Sequence, residues 1–342
     1  MDPQRSQLKT YVGIQNPKLY TADWSPWRGS FDKFLVSPAH LYQPGGDRGA
    51  RVSRHDYRQE ARWYNASLET RRDAVVLIPG NFNTFLDNLL SESEKVEGHL
   101  SPREMRFLAL LAACPTAKGE ILEIGSFKGK STVILARAAA LAGTARVVAV
   151  DPLTSPSVTD PDLRGEESCL KEFQSNLQRA RVSDAVEFHQ TFSFELAKEW
   201  NRPIRLLWID GDHTYAGTKI DFDLFSPFLS GGAIVAVHDV LHEYEGSLRV
   251  FMEEILLSPR FGAVGLCGSI GWSQFVSDPA SSKVHRRRKI RLYERLSPLV
   301  PYVVFDRKLS PWEKKTYKFH RWRVPHGEVD PASWIKEVGL LQ

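Results

Sequence analysis

The stretch Gly119–Ala142, GEILEIGSFKGKSTVILARAAALA, indicates the fold of the chain. It begins with a short apolar run typical of a buried strand and ends in an alanine-rich segment typical of a helix. Between them Gly125 and Gly129 bracket a turn, where glycine lets the backbone approach a ligand closely. We therefore predict a strand, a glycine turn and a helix, the first half of a βαβ unit.

Apolar strands and helical segments alternate from Ser101 to about Asp239. A helix is predicted to begin at Ser101, because Ser101-Pro102-Arg103-Glu104 has the residues of a capping box with proline at the first helical position. Such alternation is typical of right-handed βαβ units. We therefore predict a Rossmann-like, doubly wound, mostly parallel α/β sheet with helices on both faces. Further strands are predicted within residues 145–153, 184–192, 204–209 and 233–240, and two within 261–277 could complete the sheet as an antiparallel edge.

Composition divides the chain into three parts. Residues 1–100 are rich in Trp, Tyr, Pro and Arg without a sustained period, and we expect an irregular N-terminal extension that could bind the acceptor or act as a lid. Residues 101–280 form the predicted core domain, and residues 281–342 form a basic C-terminal extension. That extension carries 15 Lys and Arg against 6 Asp and Glu, whereas residues 1–280 carry 30 against 35. The net charge of +4 therefore conceals a strongly basic tail.

The run Lys283–Arg291, KVHRRRKIR, is the densest part of that tail. Such runs contact nucleic acid, phospholipid or acidic substrates, but many are solvated helix faces. Since no nucleic-acid motif accompanies the run, we do not expect nucleic acid as a partner, whereas peripheral membrane contact through the tail stays open. No apolar stretch reaches the ~20 residues of a membrane span, and the N-terminus has no apolar signal-peptide region. We therefore expect a cytoplasmic protein, and whether copies form a homo-oligomer stays open.

The glycine turn and the end of the next strand predict a nucleoside ligand. The spacing Gly125-x-x-x-Gly129 differs from the G-x-G-x-x-G of dinucleotide sites, and Ile124 stands where a P-loop needs glycine. Asp151 ends the next strand, where a carboxylate can accept both ribose hydroxyls. A dinucleotide and S-adenosylmethionine both fit that position. Because Glu123 is better tolerated beside a cationic methionine group than beside a pyrophosphate, the residues favour S-adenosylmethionine.

Charged residues follow the fourth and fifth predicted strands directly. Asp210 and His213 come after the apolar run 204–209, and His238 and Asp239 end the next apolar run. The carboxyl ends of parallel strands form one edge of the sheet, where ligands bind in α/β folds. A histidine there can take a proton near neutral pH, although it can also merely hydrogen-bond a loop carbonyl. We therefore treat His213 as a candidate general base.

The helix predicted after the fourth strand carries two further aspartates. Asp221 and Asp223 fall within TKIDFDLFSPFL, residues 218–229. Acidic side chains on a helix are mostly exposed. We therefore expect both on its solvated face and assign them no role.

Three segments taken together, LEIGSFKGKSTVILA, VVAVDP and WIDGDHTYAGTKIDFDLFSPFLSGGAIVAVHDV, resemble class I S-adenosylmethionine-dependent methyltransferases. They are similar in particular to the branch of macrocin-type sugar O-methyltransferases and cephalosporin hydroxylase-like proteins. The resemblance covers about Ser101 to Phe275. It implies a Rossmann-like fold and O-methylation of a hydroxyl on a small molecule or sugar.

The resemblance also implies roles for single residues. Asp151 would bind the ribose, and the turn Thr191–Ser193 would line the adenine edge. Asp210 with Asp239 would hold Mg²⁺ or another divalent cation, with His213 as base. His238 stands where metal-dependent relatives have an acid, and an imidazole suits transition metals better than Mg²⁺, so the metal stays open. The implied cofactor contacts are Glu123, Gly125, Ser126, Gly129, Asp151, Thr191, Ser193 and Asp210, and the implied metal ligands are Asp210, His238 and Asp239.

Other interpretations are compatible with the same residues. The chain could bind S-adenosylmethionine without turnover and act as a scaffold through its aromatic N-terminus and basic tail. It could also be a nucleic-acid-directed methyltransferase, although no motif indicates a pocket for a base. The hydroxylase-like relatives would require iron, and the sequence does not indicate a set of two histidines and one carboxylate.

Overall fold

The computed structural model describes residues 78–143, 146–153, 168–305 and 307–339. Its strands are β1 (Glu120–Ile124), β2 (Val147–Val150), β3 (Val186–His189), β4 (Ile204–Ile209), β5 (Leu229–Val237), β6 (Phe261–Cys267) and β7 (Ile270–Phe275). They form one sheet in the order β3-β2-β1-β4-β5-β7-β6. Neighbouring strands are parallel except at β7, which is antiparallel to both β5 and β6. The predicted mostly parallel sheet with an antiparallel edge is confirmed.

Helices connect and cover these strands. The helix predicted at Ser101 begins at Pro102, and the Ser101 N–H donates to the Glu104 carboxylate at 2.8 Å, as a capping box requires. The helices are α1 (Phe82–Ser93), α2 (Pro102–Ala113), α3 (Lys130–Leu141), α4 (Leu170–Arg179), α5 (Ser193–Ala197), α6 (Tyr215–Phe225), α7 (Glu245–Val250), α8 (Arg286–Leu296), α9 (Val300–Val303), α10 (Pro311–Arg323) and α11 (Pro331–Gly339). A π-helical segment, Phe251–Leu256, continues α7.

The strand order reverses between β1 and β4. From β1 the chain proceeds to β2 and β3 on one side, and it returns to place β4 and β5 on the other side. Connections on the two sides leave in opposite directions, so a crevice opens at the carboxyl ends of β1 and β4. Asp210, directly after β4, lies against the end of β1, and its N–H donates to the Ile124 carbonyl at 2.8 Å. This edge contains the candidate site.

The core has one layer on each face of the sheet. On β1, Ile121 faces the layer that contains Leu108 of α2 and Ile134 of α3. The next residue, Leu122, faces the layer that contains Phe225 of α6 and Leu248 of α7. The alternation follows from the two-residue period of a strand. Both faces of the sheet are therefore covered by helices, as predicted.

The basic C-terminal segment packs on this core through its apolar side chains. Leu296 of α8 and Tyr317 of α10 are buried on one side of the sheet, and Trp334 of α11 meets Trp272 of β7 edge-on at 6.0 Å on the other. The charged side chains of Lys283–Arg291 are mostly exposed, as a solvated helix face requires, with Lys289 as the buried exception. The three-part division at residues 100 and 280 stays a prediction.

Most of the predicted N-terminal extension, residues 1–77, lies outside the described residues. Its proposed lid or acceptor-binding role therefore stays a prediction. Within the described ranges, no helix has the length and apolar character needed to cross a membrane.

Candidate functional site

The glycine turn between β1 and α3 is built by positive backbone torsions and a close contact. Gly125 has φ +87° and Gly129 has φ +86°, conformations that only glycine adopts readily. A Cβ atom on Gly125 would lie 2.2 Å from the carbonyl oxygen of Asp210. Gly125 is therefore required by its left-handed backbone and by the close approach of the Asp210 backbone, and the approach of a ligand to this turn stays a prediction.

Asp151, which directly follows β2, holds this turn in place. Its Oδ2 accepts the N–H groups of Ser126 and Phe127 at 2.7 and 2.9 Å, and its Oδ1 accepts that of Leu153 at 2.7 Å. Burial nevertheless raises the pKa of Asp151. A carboxylate offers about four acceptor positions, so these three bonds leave about one for a ligand hydroxyl. Asp151 thus positions the glycine turn, a function that its predicted role at the ribose did not include.

Glu123 lies buried at the inner side of the same turn. Its Oε2 accepts the hydroxyls of Thr132 and Ser126 at 2.5 and 3.2 Å. Burial raises the pKa of Glu123 to about 7, despite these hydrogen bonds. Its other oxygen, Oε1, is buried without a hydrogen-bond partner among the described residues. A buried polar atom without a partner indicates space for a water or a ligand.

The predicted adenine edge lies after β3. The N–H of Thr191 turns back to the His189 carbonyl, and Ser193 begins α5. The Ser193 hydroxyl donates to Asp221 Oδ1 at 2.5 Å. Our expectation of a solvated Asp221 is wrong, because this side chain is buried, and burial raises its pKa to about 7. Asp223 is exposed as expected, and it is paired with Lys219 at 2.6 Å.

Four charged residues from the ends of β4 and β5 meet in one cluster: Asp210, His213, His238 and Asp239. His238 Nδ1 lies 2.8 Å from Asp210 Oδ1 and 3.5 Å from Asp239 Oδ1. His213 Nε2 lies 3.3 Å from Asp239 Oδ2 and 3.7 Å from Asp210 Oδ1. We name this set the carboxylate–imidazole cluster. The sequence predicted that these residues would share an edge of the sheet, and the structure brings all four together.

The cluster couples the charges of its members. Although burial opposes protonation, Asp210 and Asp239 raise the pKa of His213 to about 10 and that of His238 to about 9. Conversely, burial favours neutral carboxyl groups, yet the imidazoles lower the pKa of both Asp210 and Asp239. The two aspartates therefore remain ionised, and cationic imidazoles balance their charge.

The chemistry of the cluster fits a divalent cation. Asp210, His213 and Asp239 each offer one ligand atom, and these atoms lie within 4.8 Å of one another. In the described part of the chain, Nε2 of His238 is buried without a hydrogen-bond partner, and Nε2 of His213 faces both carboxylates without an aligned hydrogen bond. Two carboxylates and one imidazole are a donor set found for several divalent metals. The grouping differs from the one that the resemblance implied, since His213 replaces His238 beside the two aspartates.

Sequence reasoning missed the outer partners of the cluster. Glu104 of α2 accepts the Ser269 hydroxyl at 2.7 Å, and that hydroxyl lies 3.3 Å from Asp239 Oδ1. The ring of Tyr244 packs on His213 with centroids 4.6 Å apart. The sequence identified Glu104 as a capping residue, and nothing in its spacing indicated a partner between β6 and β7. These contacts connect the start of α2 to the site.

The sequence around this site matches the model of a protein family. Residues 122–240 match the model of a family described as a methyltransferase domain. The matched range contains every cofactor, base and metal residue predicted from the sequence. The narrower placement in the branch of macrocin-type enzymes stays a prediction.

Solved structures with a similar fold include three methyltransferases. The O-methyltransferase of Bacillus cereus in complex with SAH has 23% identity, with 64% of this chain and 97% of that chain covered and a TM-score of 0.43. TomG of Streptomyces achromogenes, in complex with SAM, has 20% identity, coverage of 64% and 96% and a TM-score of 0.41. A putative O-methyltransferase of Klebsiella pneumoniae has 21% identity, coverage of 59% and 93% and a TM-score of 0.43. Residues 122–240 therefore match a methyltransferase domain, and they include the glycine turn and the point where the strand order reverses.

Proposed function

We propose that the chain transfers the methyl group of S-adenosylmethionine to a hydroxyl of a small molecule or sugar. The observation that carries this proposal is the double position of Asp210. Its backbone contacts the glycine turn, where the N–H donates to Ile124, and its carboxylate joins the imidazoles of His213 and His238. The proposed methyl-donor site and the proposed proton-accepting site therefore share one residue.

We propose that S-adenosylmethionine, the methyl donor, lies at the carboxyl ends of β1, β2 and β3, from Glu123 to Ser193. Gly125 and Gly129 give the turn its left-handed backbone, and we propose that the methionine part lies beside this turn, where Oε1 of Glu123 offers an acceptor. Asp151 keeps about one acceptor position for a ribose hydroxyl. Thr191 and Ser193 follow β3, on the side proposed for adenine.

In the reaction, the acceptor oxygen forms a bond to the methyl carbon while the carbon–sulfur bond breaks and its electron pair stays on sulfur. The acceptor proton passes to a base, for which we propose His213. Since the two aspartates keep His213 protonated below about pH 10, it can accept a proton only when their charge is balanced by another group. We propose that Asp210 and Asp239 bind a divalent cation, which would lower the pKa of the acceptor hydroxyl. His213 Nε2 has one lone pair, so it would serve either as base or as metal ligand.

Transfer of labelled methyl from S-adenosylmethionine tests the proposal. The full chain is incubated with phenols, catechols and sugars, with Mg²⁺, with Mn²⁺ and with a chelator. We expect label in a base-stable ether, and we expect the chelator to reduce it. His213→Gln and Asp239→Asn should both lose transfer, whereas the exposed matched control Asp223→Asn should keep it.

Methyl transfer together with binding of S-adenosylhomocysteine separates the proposed enzyme from its alternatives. Stoichiometric binding of S-adenosylhomocysteine without transfer to any acceptor would favour a scaffold that binds the cofactor without turnover. Full transfer by His213→Gln would contradict the role of His213 as base. Transfer that is unaffected by chelator and by Asp239→Asn would contradict the cation.

A further inference from the structure

The helix α10, Pro311–Arg323, has a buried side and an opposite, unpartnered side. Tyr317 is 2% exposed, and its hydroxyl donates to the His242 carbonyl at 2.6 Å. The ring of Tyr317 also meets Tyr302 edge-on at 5.9 Å. These contacts attach α10 to the loop that follows β5, so the helix does not need its other side to stay folded on the domain.

Three aromatic side chains project from the opposite side. Trp312 and Trp322 are each 75% exposed, and Phe319 is 53% exposed. At about 100° per residue they fall within an arc of about 80°, whose centre lies opposite Tyr317. Large apolar side chains at this exposure, gathered on one face, mark an interaction surface rather than the scatter that a typical surface shows.

Basic residues surround these aromatics. Lys315, Lys318 and Arg323 are all exposed, and they lie within or beside the aromatic arc. Within Pro311–Arg323, all of which the structure describes, Glu313 is the one acidic residue, and it is ion-paired with Arg307 at 2.5 Å. We name Trp312, Lys315, Lys318, Phe319, Trp322 and Arg323 the aromatic–basic face. It carries positive charge and exposes no acidic side chain.

We propose that the aromatic–basic face docks the protein on an anionic lipid bilayer. A helix that lies in the membrane interface buries aromatic side chains on one side and keeps lysine and arginine at the level of the headgroups. Tryptophan suits this position because its ring is apolar while its N–H stays hydrated. The surrounding lysines and Arg323 supply attraction to acidic headgroups.

Charge and shape disfavour other occupants. A second copy of the chain would bring two such faces together and oppose their positive charges. Residues 1–77 carry 12 Lys and Arg against 8 Asp and Glu, so they too repel the face. Proteins that bind single-stranded nucleic acid follow its backbone with a basic groove, whereas these side chains project from the outer surface of a helix.

Docking would place α10 between the lipid surface and the loop that contains His242. The His242 carbonyl accepts from Tyr317, and His242 Nε2 lies 3.6 Å from Asp239 Oδ1. The loop after β5, which contains Asp239 and His242, is therefore hydrogen-bonded to α10. This inference does not depend on the methyl acceptor or on the cation.

Sedimentation of the full chain with lipid vesicles tests the proposal. Phosphatidylcholine vesicles with and without phosphatidylserine are compared at low and high salt. We expect the protein to sediment with the anionic vesicles and to be released by salt. The double variant Trp312→Ala/Trp322→Ala should reduce the partition coefficient more than tenfold. A tenfold change corresponds roughly to the free energy of burying one aromatic side chain. Lys315→Gln and Lys318→Gln should each reduce the partition coefficient about fivefold.

Matched variants keep the test specific. Leu257→Ala removes an exposed apolar side chain outside the aromatic–basic face and should leave the partition unchanged. Binding of S-adenosylhomocysteine and the circular dichroism of each variant show that it is folded. Failure of the wild-type chain to bind anionic vesicles, or equal binding by the double tryptophan variant, would overturn the proposal. So would stronger binding to a single-stranded RNA oligonucleotide that competes the vesicles away.

Discussion

Two pairs of buried or half-buried carboxyl groups lie at the same edge of the sheet, and their surroundings differ. Glu123 and Asp151 are bonded to hydroxyls and backbone N–H groups, and burial raises the pKa of both. Asp210 and Asp239 face imidazoles, which lower the pKa of both although they too are buried. Neutral donors hold the first pair in a fixed turn, whereas the second pair keeps its negative charge. The first pair is thus suited to shaping a pocket and the second to chemistry.

The boundary between the two pairs is the reversal of strand order at β1 and β4. Asp210 belongs to both sides, since its backbone contacts Gly125 and its carboxylate contacts His238. Variants that disturb one side and spare the other test whether the two functions are separate.

Gly125→Ala should have the largest effect. The new Cβ would lie 2.2 Å from the Asp210 carbonyl oxygen, and φ is +87°. We expect a loss of unfolding free energy above about 3 kcal/mol, from overpacking and backbone strain together, and no binding of S-adenosylhomocysteine. Chemical denaturation measures the unfolding free energy, and calorimetry measures the binding of S-adenosylhomocysteine.

Gly143→Ala is its matched control. Gly143 also has a positive φ, +63°, but a Cβ there would meet no atom within 4 Å. Gly143→Ala should lose only about 1–2 kcal/mol of unfolding free energy, the cost of the left-handed backbone alone. Equal losses in the two variants would show that the contact with Asp210 does not matter.

His213→Gln should affect turnover and spare the donor site. Removal of a general base lowers rates by roughly 10²- to 10⁴-fold. Because His213 contacts the second pair of carboxylates and not the first, the affinity for S-adenosylhomocysteine should change less than about threefold, below about 0.7 kcal/mol. Single-turnover kinetics and calorimetry measure the two quantities. A parallel fall in both would mean that the two sides are not separable.

Asp221→Asn should change how stability depends on pH. The Asp221 pKa is about 7 in the folded chain, against an ordinary value of 3.8, so the unfolded chain loses this proton first as pH rises. Asp221 therefore costs stability progressively from about pH 4 to about pH 7, and at pH 8 the cost is a few kcal/mol. The variant should be more stable than the wild type at pH 8 and gain least near pH 4. Urea unfolding between pH 4 and pH 8 measures the difference in stability between the variant and the wild type. A difference that does not change with pH would contradict the raised pKa of Asp221.

Ser269→Ala should have the smallest effect. It removes the hydroxyl that donates to Glu104 and approaches Asp239, while the Ser269 N–H still donates to Glu104. We expect a loss of about 1 kcal/mol in unfolding free energy, typical of one hydrogen bond. A much larger loss of turnover than of stability would indicate that Ser269 positions Asp239.

Much of the fold and part of the site could be predicted from the sequence. The period of the apolar residues located the strands, and parallel pairing then places Asp210 and Asp239 at one edge without further information. Burial of Asp221 could not be predicted, because its exposure depends on how α6 packs against Ser193. The contact between Glu104 and Ser269 joins residues 165 positions apart, which no local pattern reports. The left-handed backbone of Asp239, φ +58°, likewise depends on its tertiary contacts.

Calorimetric titration of the full chain with S-adenosylhomocysteine tests the central claim most directly. We predict stoichiometric binding, weakened more than about tenfold in Asp151→Ala, because two backbone N–H groups of the turn, the Leu153 N–H and one ribose contact lose their acceptor. His213→Gln should bind nearly as the wild type does. No binding by the folded wild-type chain would contradict a site for S-adenosylmethionine at the glycine turn.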